Sequence, residues 1–185
     1  SIVTNNYLYG NSRGIYFTSS STGTNISANY IYSNSQWGAY FESSGSNTIY
    51  NNNFTNTNNA FSDASSSNDW NVSYNGSTSI IGSGAGGGNY WSNYIGSDSG
   101  LGANPYNISG DGIGDSNLPY NSNIVVNGDY FPLTASTGAV TSCPKTISQD
   151  SVLSSSITCS SGNGIIINAD DITLDCNNYL ITGDG

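Results

Sequence analysis

A repeat of 23 residues near the start of the chain constrains the fold more than any other feature of the sequence. Three columns of residues recur at this spacing: Val3/Ile26/Ile49, Asn6/Asn29/Asn52 and Leu8/Ile31/Phe54. A further apolar segment follows in each repeat, beginning at Gly14, Gly38 and Asn59. Self-similarity at a fixed short period is typical of a solenoid, whose units stack on their neighbours.

Each repeat contains three short apolar runs separated by Asn, Ser, Thr and Gly. None of these runs is long enough for a helix, and the chain has no Met and few charged helix formers. We therefore predict an all-β fold, a right-handed parallel β-helix with three short strands per coil. The apolar columns should be buried. The asparagine column should lie at a corner, in left-handed backbone, and hydrogen-bond the coils above and below.

Composition divides the rest of the chain. The segments are regular coils over 1–63, an irregular Gly/Trp/Asp-rich end region over 64–133, a linker over 134–142 and a new element over 143–185. Terminal units of a solenoid need a cap, and we expect Trp70, Trp91 and Tyr94 to plug this one. Residues 129–133 are predicted to form a closing strand that stops at Pro132.

Charge restricts the partners of the chain. Only 8% of residues are charged and the net charge is −10, so two basic residues cannot neutralise a nucleic-acid backbone. No apolar run approaches the length of a membrane span. Ser1 starts no signal peptide, which suggests a mature chain or a piece of a longer precursor. An acidic, Asn/Ser/Thr-rich chain of this kind favours an extracellular, cell-surface location.

Cysteines and glycosylation sequons add local expectations. Without His or a CxxC motif zinc is not expected, and we expect Cys143 and Cys159 to form a disulfide that flanks a hairpin-like cap. Cys176 is expected to be a buried free thiol. Five sequons begin at Asn25, Asn53, Asn71, Asn75 and Asn107. Because several are expected by chance in such a composition, they are weak evidence for glycosylation.

Several motifs resemble one family. Residues 89–92 (Asn-Tyr-Trp-Ser), 110–115 (Gly-Asp-Gly-Ile-Gly-Asp), 119–120 (Pro-Tyr) and 129–133 (Asp-Tyr-Phe-Pro-Leu) resemble the C-terminal part of NosD-like parallel β-helix domains of the CASH type. Residues 165–176 resemble the first coil of the same family. The resemblance implies the β-helix fold and a place among archaeal-type surface proteins. It says little about activity, because the family includes binding, structural and enzymatic members.

The order of these elements is unusual, since the starting coil comes after the ending coils. Two arrangements explain it: one unit of a tandem array in a longer surface protein, or a polymer in which 143–185 of one subunit caps or extends the helix of the next. Both are head-to-tail arrangements, which form filaments when the rotation does not close. Either way, the stack is expected to continue past the boundaries of this chain.

One loop has the pattern of a calcium site. Its candidate ligands are Asn107, Ser109, Asp111, Ile113 (through its carbonyl) and Asp115. Asp98 or Asp129 would complete the shell. The bidentate Glu of an EF-hand is missing, and the alternative is an acidic Asp-Gly turn without metal.

Tyrosines flank the second apolar column. If Leu8 and its equivalents point inward, Tyr7, Tyr9, Tyr30 and Tyr32 point outward. Exposed tyrosines bind sugars or form lateral contacts between subunits. The alternative is that they only cover the β surface.

Catalysis has little support in the sequence. β-Helix polysaccharide lyases need a base, and Arg13 and Lys145 lie in different segments. Glycosidases need paired carboxylates, and the adjacent Asp170 and Asp171 would face opposite sides of a strand, which leaves Asp175 alone. Without His there is no catalytic triad.

These observations favour an extracellular structural protein, a unit of a surface layer, sheath or filament that associates head to tail with itself through 143–185. The alternative is a carbohydrate-binding or adhesive module with glycan partners. A polysaccharide lyase or glycosidase is the least favoured function.

Overall fold

A computed structural model describes residues 1–73, 79–81, 86–98, 112–134, 138–140, 142–148, 151–153, 156–160, 162–170, 172, 174–176 and 179–183. The chain divides into two compact units, Ser1–Thr134 and Ala135–Gly185. Both are built of short strands, and no helix occurs among the residues described.

Ten strands form the first unit. They are β1 (Ile2–Thr4), β2 (Tyr7–Tyr9), β3 (Arg13–Phe17), β4 (Asn25–Ser27), β5 (Tyr30–Tyr32), β6 (Trp37–Phe41), β7 (Thr48–Tyr50), β8 (Asn53–Thr55), β9 (Ala60–Ser62) and β10 (Tyr90–Trp91). They make three sheets with the orders β1-β4-β7, β10-β8-β5-β2 and β3-β6-β9. Every pairing is parallel. Successive coils therefore place one strand in each sheet, which confirms the predicted parallel β-helix.

The register confirms the repeat of 23. Val3 pairs with Ile26 and Ile26 with Ile49, while Leu8 pairs with Ile31 and Ile31 with Phe54. The members in the second and third coils are fully buried. Val3 and Leu8, in the first coil, are only half-buried because each packs on the core from one side.

The third sheet departs from strict periodicity. Ile15, Ala39 and Ala60 form its inward column, at spacings of 24 and 21 residues. Small residues belong here because the coils approach closely. A Cβ added to Gly38 would lie 2.5 Å from the carbonyl oxygen of Asn59. Only a residue without a side chain fits at that corner.

The asparagine column forms a hydrogen-bonded ladder between coils. The backbone N–H and side-chain Nδ2 of Asn29 donate to Oδ1 of Asn52 at 3.1 and 2.9 Å, and Asn52 donates in the same way to Asn89. The prediction of left-handed backbone at these residues is wrong. Positive φ occurs one residue earlier, at Asn5 (57°), Ala28 (55°) and Asn51 (53°). The preceding residue makes the turn, which leaves both amide groups of the ladder asparagine pointing at the next coil.

Aromatic residues close the far end of the first unit. Trp70 and Trp91 are fully buried and Tyr94 packs against the same core, as expected of a plug. The Trp91 ring stacks between Phe54 and Tyr120, with centroids 4.6 and 4.3 Å away.

Residues 129–133 do not form the continuous closing strand that we predicted. Asp129 makes an antiparallel bridge to Tyr120, and Leu133 bridges to Tyr90 and to Ile113. These bridges remain isolated because consecutive residues pair with different neighbours, and Pro132 has no N–H to continue a ladder.

Seven strands form the second unit. They are β11 (Gly138–Val140), β12 (Lys145–Ile147), β13 (Ser151–Leu153), β14 (Ile157–Cys159), β15 (Ile165–Ile167), β16 (Leu174–Asp175) and β17 (Ile181–Gly183). Their sheets have the orders β11-β13-β16, β12-β15 and β14-β17, all parallel. Ile147, Leu153 and Ile157 form the core.

Cys143 and Cys159 form a disulfide bond in this unit, with Cα atoms 5.1 Å apart. The segment between them is not hairpin-like, because β12, β13 and β14 belong to three different sheets and pair only with strands outside the loop. Cys176 is free and exposed, not buried as predicted. It follows β16, which is the outermost strand of its sheet.

Candidate functional site

The first coil is an open end of the β-helix. Strands β1, β2 and β3 each lie at the edge of their sheet, so one side of each strand has no neighbour among the described strands. Ile2, Tyr7 and Tyr9 are 74%, 65% and 58% exposed there. Edge strands carry unpaired backbone donors and acceptors that readily take another chain.

The asparagine ladder gives this end a defined chemistry. Asn6 donates from N and Nδ2 to Oδ1 of Asn29, at 3.0 and 2.9 Å, so donation runs from the first coil toward the cap. Among the described residues no donor reaches Oδ1 of Asn6. A coil that stacks on the first coil must therefore bring hydrogen-bond donors to this corner.

The ladder ends at Asp129. This carboxylate is fully buried and accepts from Asn89 N at 2.7 Å, Trp91 Nε1 at 2.8 Å and Phe131 N at 2.9 Å. Desolvation by burial raises the pKa of Asp129 to about 7, although these hydrogen bonds act in the opposite direction. A carboxylate only accepts, so it terminates a row of donors without leaving a group unpaired.

The predicted tyrosine surface consists of two stacks. Tyr7 stacks on Tyr30 with centroids 5.0 Å apart and planes 6° from parallel, and Tyr9 stacks on Tyr32 at 5.1 Å and 12°. The hydroxyl of Tyr30 donates to the carbonyl of Ile80. Because the rings cover one another's faces, the stacks present mainly ring edges and hydroxyls to solvent.

A second aromatic surface lies on the outer side of the third sheet. We name it the Arg13 face, and it consists of Arg13, Tyr16, Trp37, Tyr40, Glu42 and Phe61. Tyr40 stacks on Phe61 at 4.5 Å, while Trp37 is inclined to both rings by 61° and 57°. This surface was not predicted from the sequence, although Tyr16, Tyr40 and Phe61 occupy one outward column of the predicted strands.

Arg13 is held between two rings of this face. Its guanidinium carbon lies 4.5 Å from the ring centroid of Tyr16 and 4.3 Å from that of Tyr40. Its Nε is buried without a hydrogen-bond partner. The nearby acid, Glu42, instead accepts a hydrogen bond from the Tyr16 hydroxyl at 2.7 Å.

The predicted calcium loop lies largely outside the described residues, which exclude Asn107, Ser109 and Asp111. Ile113 and Asp115 are described, and both are buried. Oδ2 of Asp98 accepts from Gly112 N at 2.8 Å. Asp129, the other residue proposed to complete the shell, is engaged in the cap. Within the described ranges no three acidic, cysteine or histidine side chains form a metal-binding group.

Three of the five sequons are described. Oδ1 of Asn53 accepts from Thr55 and Oδ1 of Asn71 accepts from Tyr130 N, whereas Oδ1 of Asn25 is buried without a partner. Asn75 and Asn107 lie outside the described residues.

A cleft of about 220 Å³ lies beside the cap, lined by Asp69, Trp70, Asn71, Asn127, Gly128 and Tyr130. Its amides hold the cap together. Asn71 accepts from the backbone of Tyr130, and Asn127 donates to Ser67 and to the carbonyl of Asn68.

The second unit also has an open side. Strands β15, β16 and β17 are the outermost strands of their sheets. Ile167 and Leu180 are 62% and 65% exposed there. Large apolar side chains at the edges of three sheets are a surface suited to taking another coil.

The family model of periplasmic copper-binding proteins, NosD, matches residues 1–96 of the 185. The chain belongs to the NosD family. The match covers the coils and the first strand of the cap, and it agrees with the parallel β-helix described above. NosD is a periplasmic family, so membership supports a location outside the cytoplasm. Comparisons with curated proteins and with solved structures found no match.

Copper does not fit the donor set of this NosD chain. Copper prefers thiolate, thioether and imidazole ligands, and the sequence has no Met and no His. Two of its three cysteines are joined in the disulfide, which leaves the thiol of Cys176 alone. We therefore route no chemistry of this chain through copper. In the part of the chain that is described, no helix is long and apolar enough to cross a membrane.

Proposed function

We propose that this NosD-family chain is a structural protein of the cell surface that associates head to tail with copies of itself. The observation that carries the proposal is a pair of complementary edges. The first coil of unit one opens toward a preceding coil, and the last described coil of unit two opens toward a following one.

The two edges fit each other in kind. Both consist of three parallel strands, as the edge of a β-helix coil must. Half-buried Val3 and Leu8 face the open end of the first unit, and exposed Ile167 and Leu180 lie at the edge of the second. Joining two such edges would remove apolar surface from water, at about 25 cal/mol per Å², and pair the free backbone groups.

This pairing joins different surfaces of the two copies. A heterologous contact of this kind leaves one edge open at each end of the complex, so addition continues into a filament or layer unless the rotation closes a ring. Such assembly accounts for the starting coil coming last in the sequence.

The test uses two edge variants of the whole chain. Leu8→Lys places a charge on the open side of the first coil, and Ile167→Lys does so on the edge of the second unit. Each variant alone retains one working edge. We expect the wild-type chain to form concentration-dependent oligomers in sedimentation velocity and each variant to remain monomeric.

Mixing the two variants makes the test directional. The intact edge of one matches the intact edge of the other, so the equimolar mixture should form a dimer and nothing larger. Ser65→Lys, an exposed change away from both edges, is the control and should assemble like the wild type. A wild-type chain that stays monomeric at high concentration, or a mixture that forms no dimer, would overturn the proposal.

Carbohydrate binding by Tyr7, Tyr9, Tyr30 and Tyr32 receives less support. Sugars stack on the faces of aromatic rings, and in these columns the faces lie against each other. Lateral contact between subunits is the better use of the exposed ring edges. Replacing Tyr7 and Tyr9 with Ser would separate the two functions: lateral bundling should be lost, and binding on a glycan array should not change.

We do not propose an enzyme. Arg13 and Lys145, the only basic side chains, belong to different units. Arg13 packs against aromatic rings, with no carboxylate paired to it among the described residues. The absence of activity stays a prediction, which assays on polysaccharide substrates would check.

A further inference from the structure

We propose that the Arg13 face binds the carboxylate-bearing sugars of an acidic glycan. The inference is independent of head-to-tail association, because the face lies on the outer side of a sheet and not on the strand edges. It assigns the carboxylate to Arg13 and the sugar ring to the adjacent aromatic side chains.

The first observation is an unpaired cation in an acidic protein. The chain carries a net charge of −10 with two basic residues, so carboxylates outnumber cations sixfold (12 to 2). Even so, Arg13 makes no ion pair and no side-chain hydrogen bond with any described residue. Its Nε is buried and unpartnered, and a buried polar group without a partner needs an explanation.

The second observation is that Arg13 is held in position. The rings of Tyr16 and Tyr40 lie on the guanidinium at 4.5 and 4.3 Å. Cation–π contacts fix the planar group without using its N–H donors. Those donors therefore remain available in the fork geometry that matches a carboxylate.

The third observation is the surface beside the cation. Arg13 is the register partner of Trp37 in the next coil. The Trp37 ring is inclined by about 60° to Tyr40 and Phe61 and does not join their stack. Unlike the tyrosine columns, this part of the surface offers a ring that is not covered face to face by a neighbour.

An acidic pyranose matches both features at once. Its carboxylate is attached directly to a ring whose C–H groups pack on an aromatic surface. The pair formed by Tyr16 and Glu42 at the border can bond sugar hydroxyls. A neutral sugar would leave the cation unpaired, and a simple carboxylate would leave the aromatic surface wet.

The test compares two ligands that differ only in charge. One is a tetramer of β-1,4-linked glucuronic acid and the other is its methyl ester, titrated against the whole chain in a calorimeter. The salt concentration is about 0.15 M, at which the Debye length is about 8 Å and the net charge of the protein is largely screened. We expect the acid to bind at least about tenfold more tightly than the ester, as a charge-assisted hydrogen-bond pair would give.

Variants then locate the site. Arg13→Gln should weaken binding of the acid about tenfold or more and bring it to the level of the ester. Because Arg13 has no hydrogen-bond partner to strand, the variant should fold, which tryptophan fluorescence checks. Trp37→Leu should weaken both ligands equally. Lys145→Gln removes the other basic side chain and is the matched control, expected to bind as the wild type does.

Three outcomes would overturn the proposal. One is equal affinity for the acid and the ester. Another is binding that Arg13→Gln and Lys145→Gln weaken equally, which would indicate nonspecific attraction to charge. The third is loss of self-association in Arg13→Gln without any glycan binding by the wild type, which would make the face a contact between copies of the chain.

Discussion

At the scale of single residues, the buried asparagines hold neighbouring coils together. Asn52 donates from Nδ2 to the carbonyls of Ile26 and Tyr50 as well as to Asn89. Each neutral hydrogen bond contributes only about 1 kcal/mol net, but a buried group that loses its partner costs about 1–3 kcal/mol. The ladder therefore matters most through the orphaned groups that its loss would create.

This asymmetry predicts the effect of Asn52→Ala. The substitution leaves the carbonyls of Ile26 and Tyr50 and the amide of Asn29 without partners, so unfolding free energy should fall by about 3 kcal/mol or more. Urea unfolding followed by tryptophan fluorescence measures it, since Trp37, Trp70 and Trp91 all lie in the first unit.

The matched control is Asn6→Ala at the exposed end of the same ladder. Asn6 makes fewer buried bonds and solvent reaches its neighbours, so the loss should stay near 1 kcal/mol. Equal losses for the two variants would show that the ladder does not stabilise the fold through buried groups.

Asp129 predicts a dependence of stability on pH. Its pKa is about 7 in the folded chain and has an ordinary value of 3.8. Below pH about 4 both states are protonated, and between about 4 and 7 mainly the folded state keeps the proton. The free energy of unfolding of the first unit should therefore fall as pH rises through this window, by up to about 4 kcal/mol.

Asp129→Asn removes the titrating group and should flatten that profile. Hydrogen bonds from Ser66 and Ser65 lower the pKa of Asp63, so its contribution to stability is lost only below this window. A wild-type profile that is flat or rises between pH 4 and 7 would contradict the assignment. Fluorescence-monitored urea unfolding at several pH values gives the answer.

The residue scale also shows how far the sequence reaches. The spacing of Val3, Ile26 and Ile49 was enough to predict the buried columns, because burial in a coil depends on period. The left-handed residue was misplaced by one position, because turn geometry depends on where the chain bends and not on which Asn recurs. Asp129 looked like a surface ligand, since no sequence pattern reveals the burial of a carboxylate.

At the scale of elements, the close approach of coils decides which side chains fit. A Cβ on Gly38 would meet the carbonyl of Asn59 at 2.5 Å and the side-chain Nδ2 of Asn56 at 2.6 Å. Backbone cannot move there without breaking the β6–β9 pairing. Glycine at this strand is therefore required by packing between coils.

Gly38→Ala should destabilise the first unit by about 1–3 kcal/mol, the range typical of overpacked cores. Gly87→Ala is the control, because its added Cβ would make ordinary contacts of 3.4 Å or longer. It should change the urea midpoint little. A Gly38→Ala chain as stable as the control would show that the coils can separate at this corner.

The disulfide makes a corresponding prediction for the second unit. It closes a loop with a sequence separation of 16, and loops of this length give about 3 kcal/mol in the chain-entropy model. Replacing Cys143 and Cys159 with Ser should increase amide hydrogen exchange in β12, β14 and β15. Exchange that stays unchanged in these strands would show that the core of Ile147, Leu153 and Ile157 suffices.

At the scale of the whole molecule, the sequence revealed the architecture better than the sites. Periodicity and the family motifs predicted a parallel β-helix with an aromatic cap. The Arg13 face escaped notice because its members come from three coils whose spacings, 24 and 21, differ from 23. Outward residues also carry no apolar signature that would separate a binding surface from ordinary covering of a sheet.

Calcium binding by the loop at 107–115 stays a prediction at this scale. If the ion is bound, adding about 1 mM Ca²⁺ to chelator-treated protein should raise Tm, because a ligand that binds only the folded state stabilises it. Asp115→Asn should reduce the shift, and Mg²⁺ is the ionic-strength control. Identical Tm values with chelator and with Ca²⁺ would leave the acidic turn as the correct interpretation.

The repeat of 23 residues also determines how such a protein can change in length. Duplicating one coil, residues 25–47 for example, would add one strand to each of the three sheets and one asparagine to the ladder. The first coil and the cap would keep their surfaces. A single inserted residue would instead turn inward side chains outward. Descendants of this chain can therefore vary in reach by whole coils, about 4.8 Å at a time, while their ends continue to recognise the same neighbours.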